Sequence, residues 1–232
     1  MTNKYKHLFF DLDHTLWDFD RNSERTLHSL HQEYDLASLG IADFDVFFQT
    51  FNMHNDRLWE RYRSGYIKRE ELRWKRLWYT LLDFKIGDTS LAYELSAAYL
   101  EILPTQTLLL PYAKELLEYC KDKYSMHLIT NGFETTQWQK LQFSGIAGYF
   151  GEVITSEKSN SLKPHKEIFE YALAATGATV AESIMIGDAI DIDILGAINA
   201  GWDQVYFNPK KLPHNRKPTY EIQQLNELMA VL

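Results

Sequence analysis

The chain has 232 residues, a formal net charge of −8 and a single cysteine, with 45% hydrophobic and 24% charged residues. Those values describe a globular protein able to bury a sizeable core. They exclude an internal disulfide, and the lack of any Lys/Arg block argues against a nucleic-acid polymer as partner. No apolar run is long enough to cross a bilayer and the first residues lack a signal-peptide layout, so the expected location is the cytoplasm.

The first element is a strand over Lys6 to Phe10, followed at once by acid in the stretch LFFDLDHTLWD. From about Asn22 to Leu103 the texture becomes helical. Phe47, Phe51, Leu58 and Tyr62 form one apolar stripe. Trp74, Leu77, Trp78, Leu81 and Leu82 form a second, and Leu91, Leu95, Ala98 and Ile102 a third. Breaks at Leu39-Gly40, Ser64-Gly65 and Gly87-Asp88 separate them. This reads as a helical unit with its own core, spanning residues 18–103 and inserted after the first strand. Its Trp59, Tyr62, Tyr66, Trp74 and Trp78 have flat rings able to stack on a base, although helical spacing assigns most of them to the unit's core.

Beyond Pro111 strands alternate with helices. Ala113, Leu116, Leu117, Cys120 and Tyr124 make a helical stripe, then Met126 to Thr130 a strand. A helix from about Thr135 to Phe143 leads to a strand at Glu152 to Thr155. A helix from Lys166 to Thr176, a strand at Ser183 to Ile186, a helix from Asp191 to Ala200 and a strand at Gln204 to Phe207 complete the series. The alternation predicts a doubly wound parallel α/β sheet in residues 1–17 and 104–232. Ligands of such sheets bind outside the carboxyl ends of the strands. Four apolar runs hand over to polar residues at that end: Asp11 and Asp13, then Thr130-Asn131-Gly132, then Ser156 to Lys163, then Gly187-Asp188 through Asp193.

Alternation along an extended strand places Asp11 and Asp13 on one face, their Cα atoms roughly 6–7 Å apart. Asp11, ionised at neutral pH, is then able to attack phosphorus without a separate base. Asp13 is expected to have a raised pKa, protonate the departing alkoxide and afterwards act as base toward water; read alone, it is equally a helix cap. The aspartates repel one another strongly, which a hard divalent cation relieves, and magnesium prefers a few carboxylates with waters and phosphate oxygens. Asp11 and Asp188 are assigned as its side-chain ligands, with Asp13 in the same coordination group. Asp193 either touches that cation or supports Lys163, and Asp191 is better read as a helix N-terminal acid. Thr130 closes a strand; Asn131 and Gly132 are expected to bind substrate, Gly132 through a positive φ that turns backbone N–H groups onto an anion. Lys163 precedes Pro164, which fits a first helical turn, so its charge is held rigidly against the phosphoryl group and Asp11.

These motifs resemble the haloacid dehalogenase superfamily. FDLDHT is similar to its D-x-D-x-T motif, ITNG to the threonine motif, LKP to the lysine motif and GDAIDID to the terminal acidic motif, in family order. The resemblance implies a doubly wound core with an inserted helical cap that closes over the site. It also implies Asp11 as nucleophile, Asp13 as acid/base, Thr130 and Lys163 as phosphoryl contacts and Asp188 as magnesium ligand. TNGFETTQ, KPHKEIFEYAL, DILGAINAG and LWERYRSGYI resemble the pyrimidine 5′-nucleotidase branch, which hydrolyses nucleoside monophosphates, including non-canonical ones. The implied partner is thus a small phosphomonoester. A broad sugar-phosphate or phosphoglycolate phosphatase is the alternative, and an inactive binding protein a further one. His14 stands where sugar-phosphate relatives commonly carry Gly, and Asp13 is the second aspartate that true dehalogenases lack.

Overall fold

The structure, a computed structural model, describes residues 4–232. The chain divides into two compact units, Met1–Phe19 with Thr107–Leu232, and Asp20–Gln106. The sequence places the breaks after 17 and 103; the units part after 19 and 106.

The first unit is built on a parallel six-stranded sheet in the order β3-β2-β1-β4-β5-β6. Its strands are β1 (His7–Phe10), β2 (Ser125–Thr130), β3 (Glu152–Thr155), β4 (Ser183–Gly187), β5 (Asp203–Phe207) and β6 (Tyr220–Ile222). The first five match the expected spans to within one residue. The last was not expected, because three residues centred on Glu221 carry no readable alternation. Buried on both faces, parallel strands read as continuous apolar runs. Leu8, Phe9 and Phe10 of β1 and Ile184, Met185 and Ile186 of β4 are accordingly fully buried. Phe9, Ile129, Ile154 and Met185 point to one face. There they meet Ile168, Phe169 and Ala172 of the helix α8 (Lys166–Thr176) and Ala197 of α9 (Leu195–Asn199). Between them in chain order, Ile190–Ile194 forms a π-helical turn where a continuous helix was expected. The remaining helices of this unit are α5 (Ala113–Cys120), α6 (Glu134–Phe143), α7 (Ser156–Ser159) and α10 (Leu228–Val231).

The chain lays β2 and β3 on one side of β1, then returns to place β4, β5 and β6 on the other. The order therefore reverses between β1 and β4. That is where an open α/β sheet leaves a crevice at its carboxyl edge.

In the second unit α2 (Phe44–Arg63) packs on α3 (Arg69–Asp83), and α3 on α4 (Thr89–Ile102); α1 (Phe19–Glu33) begins at the junction. Phe47, Phe51 and Leu58 are buried as expected. On α3 the buried face runs through Leu72, Arg76 and Thr80 as well as Leu77 and Leu81, and Leu82 is exposed. Hydropathy missed this face because Arg76 is buried with its guanidinium donating to Asn55 Oδ1 at 3.1 Å and lying over the Phe51 and Tyr99 rings. On α4 the buried residues are Ala92, Leu95, Ser96 and Tyr99, which leaves Leu91, Ala98 and Ile102 half-buried. Trp74 stacks on Tyr93 with centroids 4.6 Å apart, whereas Tyr66 is 76% exposed and outside the core.

Phe169 lies fully buried with its ring against Trp202. Phe169→Ala is expected to destabilise the sheet-bearing unit by about 3–5 kcal/mol, the usual result of emptying an aromatic site in a tight core. Urea unfolding followed by tryptophan fluorescence measures it.

Candidate active site

Asp11 follows β1 directly, and its N–H continues the ladder by donating to the Ile186 carbonyl at 2.9 Å. Its carboxylate therefore emerges at the point where the strand order reverses. Lys163 meets it there. The buried ammonium donates to Asp11 Oδ1 at 2.5 Å and to the Ile129 carbonyl at 2.7 Å, and pairs with Asp193 Oδ1 at 2.7 Å. The ammonium thus has two hydrogen bonds and, at Asp193, an ion pair. Burial works against the charged lysine, but Asp11 and Asp193 outweigh it and hold the ammonium protonated. Pro164 does not lie in the first helical turn. Leu162–His165 form a turn closed by the His165 N–H on the Leu162 carbonyl at 2.9 Å, with a cis Lys163-Pro164 bond, and α8 starts only at Lys166. What fixes Lys163 is Asn131. Its side-chain amide accepts from the Lys163 N–H at 2.8 Å and donates to the Lys163 carbonyl at 3.0 Å. Expected to touch substrate, the Asn131 side chain is instead committed to this clamp.

Asp188 directly follows β4 and accepts from the buried Thr15 hydroxyl at 3.1 Å. One carboxylate oxygen each from Asp11, Asp188 and Asp193 lie within 4.8 Å of one another. Burial pushes the Asp11 carboxyl up to about 8, with Asp193 and Asp188 adding to the effect and Lys163 opposing it. Burial likewise pushes Asp188 up to about 7, with Asp193 next. When all three carboxylates are ionised they exceed the one ammonium by two charges, and that mutual repulsion adds to burial in raising the proton affinity of Asp11 and Asp188. An all-oxygen donor set with that excess fits a divalent hard cation such as magnesium. Asp191 is not part of the set: it is exposed and pairs with Arg216 at 3.0 Å.

Asp13 does not join the cluster either, contrary to its expected place among the metal ligands. β1 ends at Phe10, and Asp13 opens a tight loop whose Leu16 and Trp17 N–H groups both donate to the Leu12 carbonyl at 2.9 Å. His14, the next residue, sits at φ 61, a left-handed conformation that glycine adopts without strain. Asp13 Oδ1 pairs with the buried Lys140 ammonium at 2.6 Å, and its Oδ2 accepts from Gln137 Nε2 at 3.0 Å. Burial works to raise this carboxyl, but Lys140 and Gln137 outweigh it and hold it below the usual carboxylate range. The expected upward shift is absent because an ammonium partner stands where none was foreseen.

Thr130 ends β2. Its Oγ1 accepts from Gln137 Nε2 at 2.7 Å and from the Gly132 N–H at 3.0 Å, which leaves its own hydrogen to donate. Gly132 does not have a positive φ. It is glycine for another reason: a Cβ there would lie 2.4 Å from Gln137 Cδ.

The family model of the haloacid dehalogenase-like hydrolases matches residues 5–201. The chain belongs to that family. It is 32% identical over 235 residues to the pyrimidine 5′-nucleotidase PynA of Streptococcus pneumoniae, covering 98% of this chain and 95% of that one. It is 31% identical over 234 residues to the pyrimidine 5′-nucleotidase YjjG of Escherichia coli, covering 99% and 98%. A solved structure of the HAD-hydrolase YfnB from Bacillus subtilis bound to magnesium superposes with a TM-score of 0.89 at 26% identity, covering 99% of both chains.

Within this haloacid dehalogenase-like hydrolase, sequence reasoning missed three residues. Thr15, the last residue of the D-x-D-x-T match, holds Asp188. Gln137 and Lys140, three apart on one face of α6, hold Asp13. Their helical spacing was the available signal. Removing a hydrogen bond to a charged group costs about 1.5–3 kcal/mol. Thr15→Val is therefore expected to leave Asp188 looser, to raise the magnesium concentration for half-maximal activity several-fold and to lower folding stability by up to that amount. A magnesium titration of activity beside a thermal melt tests both halves.

Proposed function

We propose that this hydrolase cleaves phosphomonoesters through a phosphoaspartate on Asp11, and that its substrates are nucleoside 5′-monophosphates, chiefly of pyrimidines. The observation carrying the chemistry is the unlike treatment of two carboxylates two residues apart. Asp11 is held through one oxygen by Lys163 amid excess negative charge, while Asp13 is held by Lys140 and Gln137. Carboxylates whose environments pull their proton affinities apart divide nucleophilic and acid/base work.

In the first step the free oxygen of Asp11 attacks phosphorus, and the bond from phosphorus to the ester oxygen breaks. Lys163 orients Asp11 through Oδ1. The Thr130 hydroxyl, accepting from Gln137 and Gly132, directs its hydrogen to a phosphoryl oxygen. Asp13 takes up a proton as substrate binds and delivers it to the departing alkoxide. An incoming phosphate dianion raises the proton affinity of a neighbouring carboxylate, which counters the hold of Lys140 as substrate binds. In the second step Asp13 takes a proton from water, the water oxygen attacks phosphorus, and phosphate leaves as Asp11 is restored. Asn131 and Gly132 serve this reaction indirectly, Asn131 through Lys163 and Gly132 through Thr130. Magnesium held by Asp11 and Asp188, with Asp193 bridging to Lys163, would neutralise charge on the phosphoryl oxygens.

The substrate class rests on likeness to PynA and YjjG over nearly the whole chain. It is supported by a −8 net charge that disfavours a polymer partner. One methylene in an apolar pocket is worth only about 1–3 kcal/mol, so tolerance of modified bases is expected.

Asp11→Asn is expected to abolish steady-state turnover of para-nitrophenyl phosphate while the fold is retained; appreciable hydrolysis by the purified variant excludes the phosphoaspartate. A side-by-side panel is expected to give higher kcat/KM for dUMP, dTMP or UMP than for phosphoglycolate or hexose phosphates. A sugar phosphate well ahead of every nucleotide removes the nucleotidase assignment and leaves the phosphatase.

A further inference from the structure

We infer that Lys140 and Gln137 are positioning residues for Asp13, fixing its carboxylate away from the acidic cluster and toward the leaving-group oxygen. The inference rests on the acid/base role proposed for Asp13. Lys140 is 3% exposed and lies on α6, the first helix after Thr130. Its ammonium pairs with Asp13 Oδ1 at 2.6 Å and lies over the Trp17 ring at 4.5 Å and the Phe19 ring at 5.5 Å. The fully buried Trp17 is itself tied to the end of α6, its Nε1 donating to Ser144 Oγ at 3.1 Å. The lysine head is thus covered by two rings while its ammonium pairs with Asp13.

Gln137 adds the second point of fixation. Its Nε2 donates to both Asp13 Oδ2 and Thr130 Oγ1, at 3.0 and 2.7 Å, so one amide links the acid/base group to the group proposed to touch the phosphoryl. Its Oε1 is buried without a hydrogen-bond partner. The opposite amide orientation would aim that oxygen at an anionic carboxylate, so the orphaned acceptor is the consequence of aiming Nε2 correctly. A buried ammonium and a buried orphan carbonyl are both destabilising features. Both serve the same carboxylate. Gly132 belongs to the device too, since any side chain there displaces Gln137.

A buried ion pair kept for stability alone is commonly replaceable by apolar residues, so stability does not account for this one. Held through both oxygens, Asp13 keeps one rotamer before substrate arrives. Misplacement by about 1 Å is enough to slow a positioned group substantially.

The test compares the attack step, by pre-steady-state burst in magnesium, for an alkyl phosphate and for para-nitrophenyl phosphate, whose leaving group departs without a proton. The alkyl substrate is dUMP or glycerol phosphate, whichever the wild type turns over faster. In Lys140→Met the alkyl step is expected to slow roughly 10- to 100-fold, a part of the ~10²–10⁴ that a positioned proton donor contributes. The nitrophenyl step should change little, KM should hold and Lys140→Arg should recover most of the loss. In an Asp13→Ala background Lys140→Met should have no further effect on the alkyl step, because the group it positions is gone. Gln137→Leu should show the same pattern more weakly, and it carries the comparison if Lys140→Met does not fold. Equal slowing of both substrates, or an undiminished effect in the Asp13→Ala background, overturns the inference while Asp13 keeps its role. If Asp13→Ala itself slows both substrates equally, the acid assignment fails and this inference with it.

Discussion

The Lys163 ammonium, 2% exposed, is surrounded by Asp11, Asp193 and the Ile129 carbonyl, and taking such a charge out of water costs several kcal/mol unless every hydrogen is matched. Each partner in turn depends on a separate piece of the fold. Asp11 is placed by the last rung of β1 against β4, Ile129 by β2, and Asp193 by the π-helical turn after β4. Asp193 is also steadied by the Ala189 N–H on its Oδ2 at 3.0 Å, and Gly187 leaves it room, since a Cβ there would lie 2.4 Å from that oxygen. Asn131 fixes the lysine backbone from the β2 side. Three strands are thereby locked in register around one charge. The crevice of the sheet is defined by that lock as much as by strand order.

Two ionic systems of opposite balance then stand side by side. Around Lys163 three carboxylates outnumber one ammonium, and their proton affinity rises with burial and repulsion, to about 8 for Asp11 and about 7 for Asp188. Around Lys140 one carboxylate meets one ammonium and an amide, and its proton affinity falls. The first system is incomplete until positive charge arrives, so it is built to receive a cation. In the second the carboxylate already has an ammonium partner. This is why Asp11 and Asp13, two residues apart in the sequence, belong to different chemistry.

The sequence carried the parts of this that obey a period or a motif. Five strands were readable because parallel strands buried on both faces are continuously apolar, and the acid, threonine and lysine clusters were readable because each interrupts such a run. β6 was invisible because Glu221 sits within three residues of strand. Arg76 stood outside the apolar stripe of α3, since nothing in a helical stripe reveals that Asn55 and two aromatic rings will hold a guanidinium inside. Gly132 was expected to use a positive φ to aim N–H groups at an anion, whereas its φ is not positive and a Cβ there would meet the side chain of Gln137, five residues on. Lys140 and Gln137 look like ordinary helix-surface residues until α6 is laid against the Asp13 loop. Such roles depend on tertiary contact, which no local pattern encodes.

On the reading proposed above, the groups gathered at the carboxyl edge address a phosphoryl group, an ester oxygen and a cation, and a fold with such a site hosts many substrates. Discrimination must therefore come from side chains outside it. Of the five aromatics whose rings could stack on a base, Trp74 and Trp78 face each other at 6.0 Å and Trp74 also stacks on Tyr93. Trp59 and Tyr62 meet edge to face at 5.7 Å. A ring already in contact with another has less face to offer a ligand. Tyr66, at 76% exposure, has the most. It sits in the turn between α2 and α3, two residues past the Ser64 cap, where side chains are not required for packing. Of the five, its ring is the one least spent on packing within the helical unit.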